Sequence, residues 1–463
     1  MRHTLGYRCV IVRMLVAVAL SLPAFRHAHA QVSDNGSHRF PDFNSKYLPP
    51  EVEYDGPLFR LSQSYPSEPP TLDLALEHIL AIPFDKNTES ENWLKYLLAV
   101  RSYCFEGNLE VNWRGQENQT RKWYHVPWQH AGEKGREGIN GLTREATAQP
   151  KQLAATQKDK FQTHAVALYN SPGGYTIGRV WRDQFQPDPR AALFPVGTVV
   201  VKVLFTQADE KQVPYLTNPI TWKAYIQDPA DATKRKVQEL QLLQMDVMVR
   251  DDRAKKTGGW VFGTYCYNGN LKNGNRWENL VPVGIQWGND PALVDPDDNP
   301  TNQEPLKTLI NDKLKETIIN RSPDLPAQHL GWGGRLNGPA DYYRSSCMSC
   351  HSTAQYPSFV NQNPDFDKPA KYRPGDPQWE AWFRNLNFGQ AFSPMVPMVK
   401  YDKRRAVSTD FSLQLAIGIA QFYVWKSETM GGYFTPELPD SKGRSSRETT
   451  IVPTSEPPTS PKP

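Results

Sequence analysis

The sequence predicts an α+β protein in which an antiparallel β-rich N-terminal domain precedes a smaller all-α domain. In the middle of the chain, segments rich in Val, Tyr, Trp and Phe are bounded by Gly, Pro, Asn and Asp, which is typical of strands. Further on, a C-x-x-C-H motif is followed by apolar residues at helical spacing. We divide the chain into a signal peptide, a polar lead-in, a β-rich domain, an α-helical domain and a disordered tail, at residues 1–30, 31–70, 71–325, 326–430 and 431–463.

Residues 1–30 have the three parts of a secretory signal peptide. A basic start leads into an apolar run over residues 14–22, which is too short to span a bilayer, and Ala-His-Ala at residues 28–30 is an A-x-A cleavage site. We expect cleavage after Ala30 and a periplasmic or secreted mature protein; an uncleaved membrane anchor is the alternative. No later segment reaches the length of a membrane span, so we expect no integral membrane span in the mature chain.

The charge of the chain is balanced once this segment is set aside. The full chain holds 53 Lys and Arg against 49 Asp and Glu. Residues 1–30 contain four arginines and no acidic residue, so the excess of positive charge belongs to the signal peptide. We therefore expect neither nucleic acid nor an anionic membrane as a partner.

The β-rich domain contains four segments with the composition of strands and one with the periodicity of a helix. Strands are predicted over residues 163–183, 194–205, 237–252 and 258–270, and a helix over residues 90–103. The tail is rich in Ser, Thr, Pro and charged residues, which favours disorder.

Cys347, Cys350 and His351 form the C-x-x-C-H motif, which is found in zinc half-sites, redox dithiols and covalent haem sites. A zinc site needs a second ligand pair, and the sequence has no second C-x-x-C. A redox dithiol needs a βαβ pattern, which the flanking segments do not show. In an exported chain the motif indicates one haem c, because the thiols bind the porphyrin vinyl groups and the histidine is the proximal iron ligand. A structural disulfide or another metal site is the alternative.

Three predicted helices surround the motif. A short helix over residues 340–343 leads into it, and a second helix begins at Pro377, where an apolar stripe follows. The third helix lies within residues 408–426 and takes Thr409 or Asp410 as its N-cap.

The segment between the second and third helices contains two candidate axial ligands. Met395 and Met398 each follow a proline, which holds the loop extended. A thioether is the usual sixth ligand of electron-transfer haem c proteins, so we expect Met398 or Met395 to be the distal iron ligand, with Met398 preferred. His329 is a further candidate, and filling a gap in the core is the alternative role of either methionine.

The order of helix, C-x-x-C-H motif, helix, methionine loop and C-terminal helix resembles the class I cytochrome c domain over residues 328–430. The resemblance implies a haem c-binding cytochrome domain with one covalently attached haem, which exchanges single electrons with a redox partner protein. The β-rich domain would then serve for docking or positioning.

The strand segments also resemble the β-sheet cytochromes, which include hydroxylamine-oxidising cytochromes and sheet-type cytochromes c′, over residues 160–275. This resemblance implies an alternative function, a haem enzyme or sensor that binds small nitrogen or oxygen ligands at an open iron site. It also implies a lysine cross-linked to the haem, for which Lys202 is a positional guess only.

The sequence allows two alternative roles for each of two further groups of residues. His125 and His130 lie among tryptophan and glutamate residues, and a metal or substrate site there competes with a role in the core, because Pro127 breaks the helix that a helical zinc pair needs. Cys104 and Cys266 either form a disulfide or stay free, since an exported protein permits pairing but the sequence does not show that they are close.

Overall fold

The computed structural model describes residues 39–85, 91–132, 135–293, 304–314, 330–358, 361–364, 376–392 and 406–430. Several sequence predictions lie outside these ranges, namely the signal peptide at residues 1–30, the candidate ligands His329, Met395 and Met398, and the tail at residues 431–463. The C-x-x-C-H motif and all four predicted strand segments lie within them.

An antiparallel sheet of eight strands dominates the described residues. Its strands are β1 (Thr143–Ala148), β2 (Phe161–Tyr169), β3 (Val199–Thr206), β4 (Thr221–Asp228), β5 (Asp231–Arg250), β6 (Trp260–Tyr267), β7 (Leu280–Gln286) and β8 (Thr308–Ile310). Their order is β1-β2-β3-β5-β6-β7-β8, and β4 pairs with the first half of β5. The second half of β5 therefore lies at the centre of the sheet, between β3 and β6. Two short strands, β9 (Gln355–Tyr356) and β10 (Val407–Ser408), pair separately.

The α-helices of the described residues are few and mostly short. They are α1 (Leu74–Ala81), α2 (Asn92–Phe105), α3 (Ser171–Val180), α4 (Cys347–His351), α5 (Pro377–Glu380) and α6 (Leu413–Met430). Within the described ranges, none of them has the length and apolar character of a membrane-spanning segment.

The sheet is covered on both faces. Alternate side chains of its central strands point to opposite sides and belong to two separate cores. Val199 and Val201 of β3 belong to a first core with α2, whose Leu97 packs closely against Gly263 of β6. Val200, which lies between them, belongs to a second core on the other face. The second core also contains residues of α4 and α6, namely Met348, Leu415, Ile419 and Phe422. The motif helix thus packs directly on the sheet.

Most of the predicted elements in the β-rich region are confirmed. β3, β5 and β6 coincide with predicted strands, and α2 coincides with the predicted helix. The strand predicted over residues 163–183 is wrong beyond Tyr169, where β2 ends and α3 begins. Asn170 caps α3 by accepting a hydrogen bond from the Gly173 amide at 3.3 Å, and Pro172 occupies the first turn. These local helix signals outweigh the strand-like composition.

The predicted fold class is wrong, because the residues of the C-terminal region that the structure describes do not form an all-α cytochrome c-like domain. α4 is one turn long and packs on the sheet, and residues 340–343, predicted as a helix, form turns. The second predicted helix ends as α5 after four residues. Trp382 and Phe383 continue its apolar stripe in a 3-10 turn, buried in the second core with Trp332. Apolar spacing in this region predicted burial correctly but not the helix.

The predicted C-terminal helix is confirmed as α6, but its N-cap differs from the prediction. Ser412 Oγ accepts a hydrogen bond from the Leu415 amide at 3.1 Å, so Ser412 takes the position predicted for Thr409 or Asp410. The carboxylate of Asp410 is buried and accepts hydrogen bonds from other parts of the chain.

Candidate functional site

The C-x-x-C-H motif forms the single turn of α4, which begins with a capping box. Ser346 Oγ accepts a hydrogen bond from the Ser349 amide at 3.1 Å, and Ser349 Oγ accepts one from the Ser346 amide at 2.8 Å. Residues three and four apart lie on one face of a helix, so Cys347, Cys350 and His351 share a face. The spacing of the motif therefore brings two thiols and an imidazole together.

Backbone hydrogen bonds anchor α4 to its surroundings. The Met348 amide donates to Gln286 Oε1 at the end of β7 at 3.1 Å, and the Cys347 amide donates to the Leu336 carbonyl at 3.0 Å. Cys347 Sγ lies 3.9 Å from Thr264 Oγ1 of β6, so this thiol faces the sheet.

A cavity of about 230 Å3 lies between α4, the sheet and α6. All three functional side chains of the motif line it. The facing strands contribute Val200, Lys202, Asp246, Met248, Phe262 and Thr264, and α6 contributes Leu413, Gln414 and Ile417. Apolar walls with a few polar groups are typical of cofactor sites.

The imidazole of His351 is held by the turn that precedes α6. Its Nδ1 lies 2.9 Å from the Phe411 carbonyl oxygen, and its ring centroid lies 5.3 Å from that of Phe262. A carbonyl oxygen only accepts, so Nδ1 carries the proton and Nε2 keeps the lone pair that binds a metal. Burial lowers the pKa of His351 to about 4, so the ring is neutral at physiological pH.

A cluster of charged residues, Lys202, Asp246 and Asp341, also lines the cavity. Lys202 Nζ pairs with Asp246 Oδ2 at 3.0 Å, and Thr264 Oγ1 donates to Asp246 Oδ1 at 2.9 Å. Gln244 Nε2 donates to Asp246 Oδ1 at 2.9 Å and to Asp341 Oδ2 at 3.0 Å. Burial alone would lower the pKa of Lys202, but the carboxylates of Asp246, Asp341 and Glu145 outweigh burial and hold the pKa above its ordinary value. Lys202 is therefore a paired cation within the cavity wall.

The two motif thiols are free and protonated. Burial raises the pKa of Cys350 to about 12 and that of Cys347 well above its ordinary value. A redox dithiol relies on the opposite shift, which creates a reactive thiolate. Across the described ranges, no group of three or more His, Cys, Asp and Glu side chains has the arrangement of a metal site.

The residues around the cavity fit a covalently attached haem. Two free thiols lie one helical turn apart, and His351 Nε2 is the nitrogen left for a metal. Cys347 and Cys350 would hold the porphyrin through thioether bonds, and His351 would ligate the iron. The apolar side chains of the sheet and of α6 would contact the macrocycle.

The histidines upstream have separate contacts in the core. His125 Nδ1 accepts a hydrogen bond from the Ser62 amide at 3.0 Å, and the His130 ring stacks on Trp128 with centroids 5.3 Å apart. The carboxylate of Glu137 accepts hydrogen bonds from backbone amides of the turn that follows it. Of the two roles that the sequence left open, the described contacts favour the one in the core.

Cys104 and Cys266 are free thiols in the described part of the chain, so the disulfide that the sequence left open is not formed. Both are fully buried in the first core. Burial raises the pKa of Cys266 to about 12 and that of Cys104 further, which makes both thiols unreactive.

Asp246, Asp341 and Phe411 belong to the site but were not predicted from the sequence, and Lys202 was named only as a positional guess. A charged residue inside an apolar strand was the available signal for Lys202 in VVVKVLF and for Asp246 in QMDVMV. Phe411 contributes its backbone carbonyl, which every residue has, so the residue type gives no indication of this role.

The resemblance to class I cytochromes c and to β-sheet cytochromes rests on short motifs and on the order of elements. Comparisons with protein-family models, with curated proteins and with solved structures find no match to this chain.

Proposed function

We propose that this chain is an exported monohaem c-type cytochrome, with haem attached to Cys347 and Cys350 and with His351 as the proximal iron ligand. The observation that supports the proposal is that α4 directs all three side chains to one cavity while the Phe411 carbonyl fixes the proton on Nδ1. A haem held in this way supplies one-electron redox chemistry.

Electron transfer to or from a redox partner protein is the first activity that we assign to the haem. Covalent attachment keeps the cofactor in place through repeated oxidation and reduction. A methionine as sixth ligand, Met398 or Met395, would complete the iron coordination and raise the potential. Both methionines lie outside the described residues.

A haem enzyme or sensor with an open iron site is the second candidate, and the charged cluster in the cavity favours it. Lys202, Asp246 and Asp341 supply hydrogen-bond donors and acceptors inside a largely apolar pocket. Hydrogen-bonding groups in a haem pocket stabilise bound small nitrogen or oxygen ligands, and charged groups in a cofactor pocket are common at functional sites.

Replacing Cys347 or Cys350 with alanine should lower covalent haem, because each thiol supplies one of the two thioether bonds. The full chain would be expressed with its signal sequence in a host that matures c-type cytochromes, and haem would be extracted with acid-acetone. We expect haem to stay with the wild-type protein and to be partly or wholly extracted from each variant.

Cys266→Ala is the matched control, since this thiol is buried in the first core and does not line the cavity, so its loss should leave attachment unchanged. Haem that leaves the wild-type protein freely would contradict the proposal.

Carbon monoxide separates the two candidate functions. A ferrous iron with six protein and porphyrin ligands binds carbon monoxide slowly or not at all, whereas an open site binds it at once. We expect the reduced wild-type protein to show a low-spin absorption spectrum that carbon monoxide leaves unchanged within minutes. Rapid formation of a carbon monoxide complex would favour the enzyme or sensor.

A further inference from the structure

Two consecutive residues before α6 have a backbone conformation that is rare outside glycine. Asp410 has φ +49° and Phe411 has φ +64°, both in the left-handed region. Aspartate tolerates this region better than most residues, but phenylalanine does not. Strained backbone of this kind persists only where surrounding contacts hold it, and it is concentrated at functional sites.

The side chain of Asp410 pins this turn to the sheet. Its carboxylate is fully buried, with Oδ2 accepting from the Phe194 amide at 2.9 Å and Oδ1 accepting from Trp260 Nε1 at 3.2 Å. Trp260 begins β6, and Phe194 precedes β3. Two separate parts of the sheet layer therefore fix one carboxylate.

Further contacts hold the turn from its other sides. The Phe411 ring packs so closely on Gly258 that a Cβ there would lie 2.6 Å from Phe411 Cζ. Ser412 Oγ lies 2.8 Å from Tyr169 Oη of β2. The result of these contacts is the placement of the Phe411 carbonyl 2.9 Å from His351 Nδ1.

We propose that Asp410 is a positioning residue, which fixes the Phe411 carbonyl against His351 and thereby sets the strength of that imidazole as an iron ligand. This inference rests on the proposed haem site. A hydrogen bond accepted from Nδ1–H makes the imidazole more basic and orients its ring. A more basic proximal ligand stabilises the ferric state, so a firmly held carbonyl should lower the potential of the haem.

Asp410→Asn tests this role with little change in shape. Asparagine also tolerates the left-handed region, but its single oxygen can accept from only one of the two N–H donors that converge on Asp410. With the turn loosened, we expect the ratio of ferrous to ferric protein at a fixed potential to rise about tenfold, a shift of ~59 mV for one electron. The Nδ1 proton of His351, followed by NMR in the 15N-labelled ferrous protein, should exchange with solvent about tenfold faster.

Two other variants separate positioning from general loss of stability. Asp251→Asn removes a carboxylate that is equally buried, but that pairs with Arg253 and contacts Tyr96 of the first core, so it should leave the potential and the exchange rate unchanged. Trp260→Phe removes the indole donor together with part of a buried ring, and it should shift both readouts in the direction of Asp410→Asn, by a smaller amount.

The possible failures are distinguishable. If the haem-loaded Asp410→Asn and Trp260→Phe proteins keep the potential and the proton exchange rate of the wild type, the positioning role is overturned and the haem site stands. If the wild-type protein itself carries no covalent haem, the proposed function is overturned, and this inference with it.

Discussion

Replacing Arg335 with leucine is expected to lower the free energy of unfolding by about 2 kcal/mol or more, because it leaves the buried carbonyls of Asn289 and Leu293 without a donor at a cost of ~1 kcal/mol or more each, while those of Asp290 and Trp332 each keep one backbone donor. The Arg335 guanidinium is fully buried and lies 4.7 Å above the Phe383 ring. It donates to the carbonyl oxygens of Asn289 at 2.5 Å, Trp332 at 2.8 Å, Asp290 at 2.9 Å and Leu293 at 3.1 Å. Urea unfolding of the purified full chain would measure the loss.

The same substitution should also lower the yield of covalent haem. Arg335 joins the segment that follows β7 to the segment that leads into α4, where the Leu336 carbonyl accepts from the Cys347 amide at 3.0 Å. A lysine at this position keeps the charge but cannot reach all four carbonyls, so Arg335→Lys should fall between the wild type and Arg335→Leu.

Arg190→Leu is the control that shows the effect of removing an arginine that is not buried. Arg190 is exposed and pairs with the nearby Asp188, so its loss should change stability by about 0.5 kcal/mol or less. Equal unfolding midpoints for Arg335→Leu and wild type would show that the guanidinium does not hold the two segments together.

The elements that the sequence predicted well are those whose pattern is set by burial on a sheet. β3, the second half of β5 and β6 are largely apolar because both of their faces are covered, and this produces nearly continuous apolar runs. The prediction failed where the same residue types occur with local helix signals, as in α3, whose capping residue Asn170 was present in the sequence. It also failed around α5, because burial in irregular backbone gives the same apolar spacing as a helix.

The residues of the candidate site likewise fall into those that the sequence could predict and those that it could not. Cys347, Cys350 and His351 could be placed together from sequence because a single helical turn brings them together. Their partners come from strands far away in the chain, so no local spacing predicts them. The ion pair of Lys202 with Asp246 exists because β3 and β5 are neighbours in the sheet and these two residues are in register.

Acidification should destabilise the folded chain between pH 6.5 and pH 5, because several histidines, among them His130 and His164, are buried in their neutral form. Burial, together with the nearby Arg136, lowers the pKa of His130 to about 3. Burial, together with Arg144 and Arg235, lowers the pKa of His164 to about 3. The unfolded chain binds protons at these residues near pH 6.5, whereas the folded chain does not. Stability is therefore fully present above pH 6.5 and is lost as the pH falls towards 3, by about 2 kcal/mol per histidine at pH 5.

Denaturant unfolding of the full chain at pH 7.5, 6 and 5 would measure this loss, and His164→Gln should reduce its slope. Glutamine keeps a polar side chain but cannot take up a proton. The unfolded chain then binds one proton fewer relative to the folded chain, so the slope of the unfolding free energy against pH should fall by ~1.4 kcal/mol per pH unit. His78→Gln on the exposed face of α1 is the control and should leave the slope unchanged. If stability is independent of pH over this range, or if His164→Gln has the slope of the wild type, His164 is not buried in its neutral form.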